Sequence, residues 1–244
     1  MTQTALVTGA NKGIGFAIAE ALASRGVKVY LGARNLALGE AAASKLHEKG
    51  YDVTLVKVDL NAVESNDFEG LSEIDFLVNN AGIAGNLKSE KSELDMGKSV
   101  FDYTHADLQE TLDTNFLGTH DVILAMLPHL TADAKILNIT VPVSQSYWMP
   151  LAYITSKAAL NAMTFAFGHQ FKKDGSKRTI FGVMPGAIAT DLNGATAGNF
   201  VKTPAEAAKG IVAYLFDGKN HNATLINLDG GLVVETYEPG LGFN

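Results

Sequence analysis

The sequence predicts an α/β domain on a single doubly wound parallel sheet flanked by helices on both faces, and three observations predict it. Short runs rich in Val, Ile and Leu alternate with longer stretches of helical period along the 244 residues. Those runs are continuously apolar rather than alternating, as strands covered on both sides must be. The first of them runs straight into a glycine-rich turn and then a helix.

Taken in order, the strand candidates are residues 5–8, 28–32, 52–57, 76–79, 135–139, 180–184 and 225–228. Good helix formers fill the intervals at residues 15–25, 35–49, 116–130, 152–171 and 204–216. Residues 84–103 are polar and charged, with too few apolar positions for a core element, and read as a surface excursion after the fourth strand. Residues 187–203, rich in small side chains, read as a substrate lid. With no repeat, linker or low-complexity tract, residues 1–244 read as one domain.

Composition narrows the function. Against 19 Lys+Arg stand 26 Asp+Glu, a formal charge of −7 that suits a nucleic-acid backbone poorly, so no nucleic-acid partner is expected. The absence of cysteine excludes a disulfide framework, a thiolate nucleophile and any Cys-ligated zinc or iron–sulfur site. At 47% hydrophobic residues the chain is far from disordered composition. No run approaches the roughly 18–20 apolar residues of a membrane span, and no basic region precedes the apolar run at the N-terminus. A complete cytoplasmic chain without a membrane partner is the expectation.

The turn Thr8-Gly9-Ala10-Asn11-Lys12-Gly13-Ile14-Gly15 lies between the first strand and the first helix. Glycines suit it because the turn needs positive φ and a backbone that approaches a ligand closely, while the helix N-terminus offers free N–H groups and a positive dipole to a phosphate. A glycine cluster alone is weak; the strand–turn–helix setting strengthens it. An NAD-specific turn of this kind generally has Asp or Glu about 20 residues further on, bonded to the ribose 2′-hydroxyl. Residues 21–39 contain no carboxylate, whereas Arg34 ends the second strand and Lys12 lies in the turn. Two cations and no anion favour an adenosine 2′-phosphate, and NADP(H) is the expected cofactor.

Further motifs follow along the chain: Asp59-Leu60, Asn79-Asn80-Ala81-Gly82, Asn115, Tyr153-x-x-x-Lys157 and Pro185-Gly186-x-x-x-Thr190. With the glycine turn, they resemble the motif set of the short-chain dehydrogenase/reductase family over nearly the whole chain. Asn-Lys-Gly-Ile-Gly followed by Ala-Arg-Asn is further similar to the carbonyl-reductase branch, whose members prefer NADPH. The resemblance implies a Rossmann fold. It implies a cofactor site at Gly9, Asn11, Lys12, Gly13, Ile14, Gly15 and Arg34, an adenine contact at Asp59 and Leu60, and further contacts at Asn80, Ala81 and Gly82. Pro185, Gly186, Ile188 and Thr190 would meet the nicotinamide carboxamide.

Tyr153 and Lys157 stand one above the other on a helix. A phenol of ordinary pKa near 10 is a reluctant base; a nearby ammonium and an oxidised nicotinamide both favour the phenolate and are expected to lower it. The resemblance implies that Tyr153 protonates a carbonyl oxygen as hydride arrives, or deprotonates an alcohol in reverse, and that Lys157 lowers the phenol and holds the nicotinamide ribose. Asn115 would bind a water on a proton path. The family's substrate-binding serine falls on Thr140, a departure that keeps a hydroxyl; Ser144 and then Ser146 are the alternatives.

The histidines His47, His105, His120, His129, His169 and His221 lack metal-ligand spacing, and no metal is expected. Tyr147, Trp148 and Met149 precede the tyrosine, where a substrate wall and core packing are both open. The reading is an NADP(H)-dependent oxidoreductase acting on a ketone, aldehyde or secondary alcohol; the alternative is an NADP(H)-sensing regulator with little chemistry. Family members associate through helices equivalent to 116–130 and 152–171, so a homodimer or homotetramer is expected. Ala158, Ala159, Ala162 and Ala166 either permit another helix to approach or face the sheet.

Overall fold

A computed structural model describes residues 2–66, 68–71, 73–85, 98–143, 150–192, 198, 201–228 and 231–233. Strands β1 (Thr4–Val7), β2 (Lys28–Ala33), β3 (Val53–Lys57), β4 (Ile74–Asn79), β5 (Leu130–Ile139), β6 (Thr179–Met184), β7 (Thr224–Asn227) and β8 (Gly231–Val233) form one sheet in the order β3-β2-β1-β4-β5-β6-β7-β8. The first seven pair in parallel. An eighth strand, β8, absent from the sequence reading, pairs antiparallel with β7 at the edge of this parallel sheet. So few residues separate the two that only a tight antiparallel return fits; a parallel strand needs a long crossover.

The helices are α1 (Gly13–Ala23), α2 (Leu36–His47), α3 (His105–Leu112), α4 (Gly118–Met126), α5 (Leu151–Lys173) and α6 (Pro204–Phe216). Side chains alternate across the sheet, and both sides are dry. Ala5, Val7, Val78, Leu137, Phe181 and Ile226 face the α1, α2 and α6 layer. Leu6, Leu77, Ile136 and Ile180 face α4 and α5. Complete coverage of both faces explains why the strands read as unbroken apolar runs.

Three elements depart from the sequence reading. The expected helix 116–130 is divided: a π turn (Asp113–Leu117) leads into α4, a 3-10 turn at Leu127–His129 contains Pro128, and Leu130 already begins β5. Proline lacks the N–H that would continue the helix. Strand β5 starts five residues ahead of the expected Lys135 because its first half, with Thr131, Ala132 and Asp133, is partly solvated and lacks an apolar signature. Helix α3 was not anticipated; a reciprocal capping box between Thr104 and Asp107 starts it. Within the expected excursion 84–103, residues 86–97 lie outside the described ones, and Phe101 on a 3-10 turn is 93% exposed. Of the alanines named above, Ala162 and Ala166 are exposed and Ala158 and Ala159 half-buried, so none of these four packs fully into the sheet.

Candidate active site

Between β1 and β4 the chain reverses its direction of travel across the sheet, and the crevice outside the carboxyl ends of strands opens at such a point. Every described candidate residue follows a strand end here or lies on the facing part of α5 or the π turn.

The glycine turn is shaped from within the protein. Gly9 has φ +64°, and a Cβ there would stand 2.8 Å from Ala81 Cα. A Cβ on Gly15 would stand 2.5 Å from Gly9 O and also meet the Asn80 amide. Both positions therefore need glycine before any ligand is considered. Asn80 Nδ2 donates to the Thr8 carbonyl at 3.0 Å and the Gly9 carbonyl at 3.2 Å. Thr8 Oγ1 accepts from the Asn80 and Ala81 amides, both at 3.0 Å. The Asn79-Asn80-Ala81-Gly82 motif is thus first a splint for the turn. Asn79 instead donates to Asn138 Oδ1 at 2.9 Å, between β4 and β5.

The N-terminus of α1 has no side-chain cap and no acidic residue in its first turn. It fits an anion: free amides, the positive dipole end and no competing carboxylate. Arg34 is exposed at the end of β2, whereas Lys12 pairs with Asp191 at 2.8 Å, across from the loop after β6. Asn11 is half-buried. Asp59 is tied into its own turn, its Oδ1 accepting from Asn61 N at 3.0 Å. Leu60 and Ile188 are 8% and 2% exposed and belong to the core; Ile14 packs partly against it. The loop carrying Pro185, Gly186 and Thr190 is braced by a bridge between Ile188 and Lys202, with Lys202 Nζ donating to Pro185 O at 3.1 Å. Part of the expected lid 187–203 lies outside the described residues.

On α5, Lys157 is 4% exposed and its Nζ donates to the Ile139 carbonyl at 2.9 Å, while standing 5.7 Å from the Tyr153 ring centre. Burial pushes the Tyr153 phenol up to about 12 and the Lys157 ammonium down to about 8. The expected lowering of the phenol is therefore not produced by the protein's own groups. Desolvation disfavours both charges, and the ammonium turns towards Ile139 O rather than making the phenol its partner.

Asn115 lies in the π turn with its side chain fully engaged. Its Oδ1 accepts from Ile83 N at 2.8 Å, and its Nδ2 donates to Ile83 O at 2.8 Å and Ser156 Oγ at 2.9 Å. Gly82 admits it, since a Cβ there would meet Asn115 Oδ1 at 2.8 Å. Thr140 is 1% exposed and donates to Asn161 Oδ1 at 2.5 Å. Ser144, Ser146, Tyr147, Trp148 and Met149 lie outside the described residues. Sequence reasoning overlooked Asn161. Its signal was present: a poor helix former inside a long helix, on the turn after Lys157.

The chain matches the family model for short chain dehydrogenases over residues 3–199. It is 30% identical over 264 residues to short chain dehydrogenase penD of Penicillium thymicola, covering 94% of this chain and 91% of that protein. It is 35% identical over 147 residues to carbonyl reductase (NADPH) 1 of Mus musculus, covering 57% of this chain and 49% of that protein. The chain spans about half the length of that reductase and of the fatty acyl-CoA reductase of Acinetobacter baylyi that it also matches, 49% and 55% respectively. In fold it is similar to NADPH-bound carbonyl reductase from chicken fatty liver, with TM-score 0.78 and 24% identity over 95% of this chain and 98% of that one. An NADP complex of a short chain dehydrogenase from Burkholderia cenocepacia gives TM-score 0.78 at 25% identity, covering 94% and 97%.

Proposed function

The chain belongs to the short-chain dehydrogenase family, and on that premise we propose that it is an NADP(H)-dependent oxidoreductase acting on a ketone, aldehyde or secondary alcohol. The observation that carries this reading is the stack of Tyr153 and Lys157 on one face of α5, with Lys157 Nζ hung from the Ile139 carbonyl at the crevice edge. NADPH, when bound, supplies the hydride. The amides at the start of α1 would hold its pyrophosphate, and Arg34 its 2′-phosphate; the related carbonyl reductases named for NADPH support that choice.

Tyr153 holds a proton at Oη and gives it to the substrate oxygen during carbonyl reduction. Burial holds the phenol near 12, so at neutral pH it is ready as an acid. In the reverse direction it must first lose that proton, and a positive charge nearby favours the loss. Lys157, held near 8, can take and release a proton close to neutral pH and so resupply the phenol. Asn115 fixes the loop after β4 against α5 through Ile83 and Ser156, which keeps this wall of the crevice in place.

Following NADPH absorbance with a panel of small aldehydes and ketones tests the reading. Tyr153→Phe is expected to lower kcat by about 10²–10⁴-fold while leaving NADPH binding, read by intrinsic fluorescence, within about threefold. Turnover equal to the parent's would refute the mechanism. NADPH binding with no turnover on any panel member would favour the sensor.

A further inference from the structure

The end of β5 is held to α5 by a clasp of buried polar groups. Thr140 N donates to Val183 O at 2.9 Å, the last backbone tie before the chain leaves the sheet, and Pro142 soon after has no N–H to offer. The Thr140 hydroxyl donates to Asn161 Oδ1 at 2.5 Å, and Asn161 Nδ2 donates to the Val141 carbonyl at 3.3 Å. Both side chains are almost fully enclosed, at 1% and 3% exposure. The Thr140 methyl is packed as well: a Cβ on Gly182 would meet it at 3.0 Å.

The residue just ahead of this clasp is Ile139, whose carbonyl accepts Lys157 Nζ. Tyr153, Lys157 and Asn161 fall at i, i+4 and i+8, along one face of the helix. Asn161 therefore grips the strand end one turn beyond the point where Lys157 takes its acceptor. A threonine hydroxyl has one proton to donate. Here that proton is directed to an amide oxygen inside a closed contact, so Thr140 has none for a substrate oxygen.

Resting on the oxidoreductase reading above, we propose that Asn161 is a positioning residue. By clasping Thr140 and Val141 it fixes the strand end whose Ile139 carbonyl sets Lys157 Nζ beside Tyr153, and Thr140 acts through this clasp rather than on the substrate.

The test compares Thr140→Val, Asn161→Leu and the double variant with the parent, using Thr140→Ser as the conservative rescue. The readouts are kcat, KM and pH profile on the panel compound that turns over fastest, together with urea midpoints. Each single change breaks the Thr140–Asn161 contact and leaves a buried polar group unpaired, so kcat is expected to fall about tenfold with KM moved less than about threefold. The pH profile is expected to move to lower pH as Lys157 loses a well-placed acceptor. The double variant is expected to lose no more kcat than the worse single variant, because the clasp is already broken there, and Thr140→Ser is expected to recover most of the loss in Thr140→Val. A Thr140→Val penalty as large in the Asn161→Leu background as alone overturns the proposal, because that is how a hydroxyl on the substrate behaves. A Tyr153→Phe variant with parental turnover overturns the underlying oxidoreductase reading instead. The urea midpoints then decide the clasp: coupled changes support it, and additive ones overturn it.

Discussion

At the β1 side of the crevice the outward-facing groups are the amides of a glycine turn and two exposed cations, Lys12 and Arg34. At the β5 side they are a phenol and an ammonium set among buried neighbours. The first wall keeps its charges in water, where they are screened by salt. The second removes its groups from water, and each moves towards its uncharged form. A protein that must both attract an anion and handle a proton needs both kinds of wall: charge is useful for capture only while it persists, and a proton is mobile only where charge is discouraged.

The largest expected effect comes from breaking the buried wall. Lys157→Met should lower kcat/KM on the carbonyl panel by about 10²-fold or more. It should also change the response of stability to pH. The folded value near 8 lies below the ordinary 10.5, so between those values the unfolded chain binds the extra proton and the parent gains stability as pH rises. Tyr153, raised from 10.0 to about 12, gives the opposite slope above pH 10. Urea midpoints from pH 7 to 10 should climb for the parent and stay flat for Lys157→Met; a climb in both would remove Lys157 as its source.

Reversing the sign on the other wall should have a smaller effect. Arg34→Asp is expected to reduce the preference for NADPH over NADH by about 10- to 100-fold, read by fluorescence titration. Equal affinities in the parent would contradict the cofactor assignment. The smallest effect belongs to Asp191→Asn, which frees Lys12 from an exposed pair. NADPH affinity should rise about two- to threefold at low salt, and the gain should vanish by ~0.5 M salt. A gain that persists there would show that Asp191 acts by something other than charge.

The two walls also differed in how much the sequence disclosed. Gly9, by its positive φ and a contact inside 3 Å, and Gly15, by its contacts inside 3 Å, leave glycine as the residue that fits. Strands β1, β2, β4 and β6 were readable because they are buried on both sides, and the edge strand β3 by its Val53, Leu55 and Val56. The first half of β5 was not, since Thr131 to Asp133 lie towards solvent. Helix α3 rests on its cap and its contacts with α5 more than on an apolar stripe, so periodicity missed it. In the buried wall, spacing brought a hydroxyl to position 140 but could not tell which way the strand end faces. That direction is set by Asn161, a contact 21 residues away in sequence.

The splint that Asn80 and Thr8 build behind the glycine turn has one more effect. A loop gripping a phosphate ordinarily loses backbone entropy at the moment of contact, which slows capture and weakens it. In this molecule that loss is incurred once, as the chain folds. An incoming phosphate group would meet a turn already held in shape, and replacing Asn80 should weaken its hold by loosening that turn.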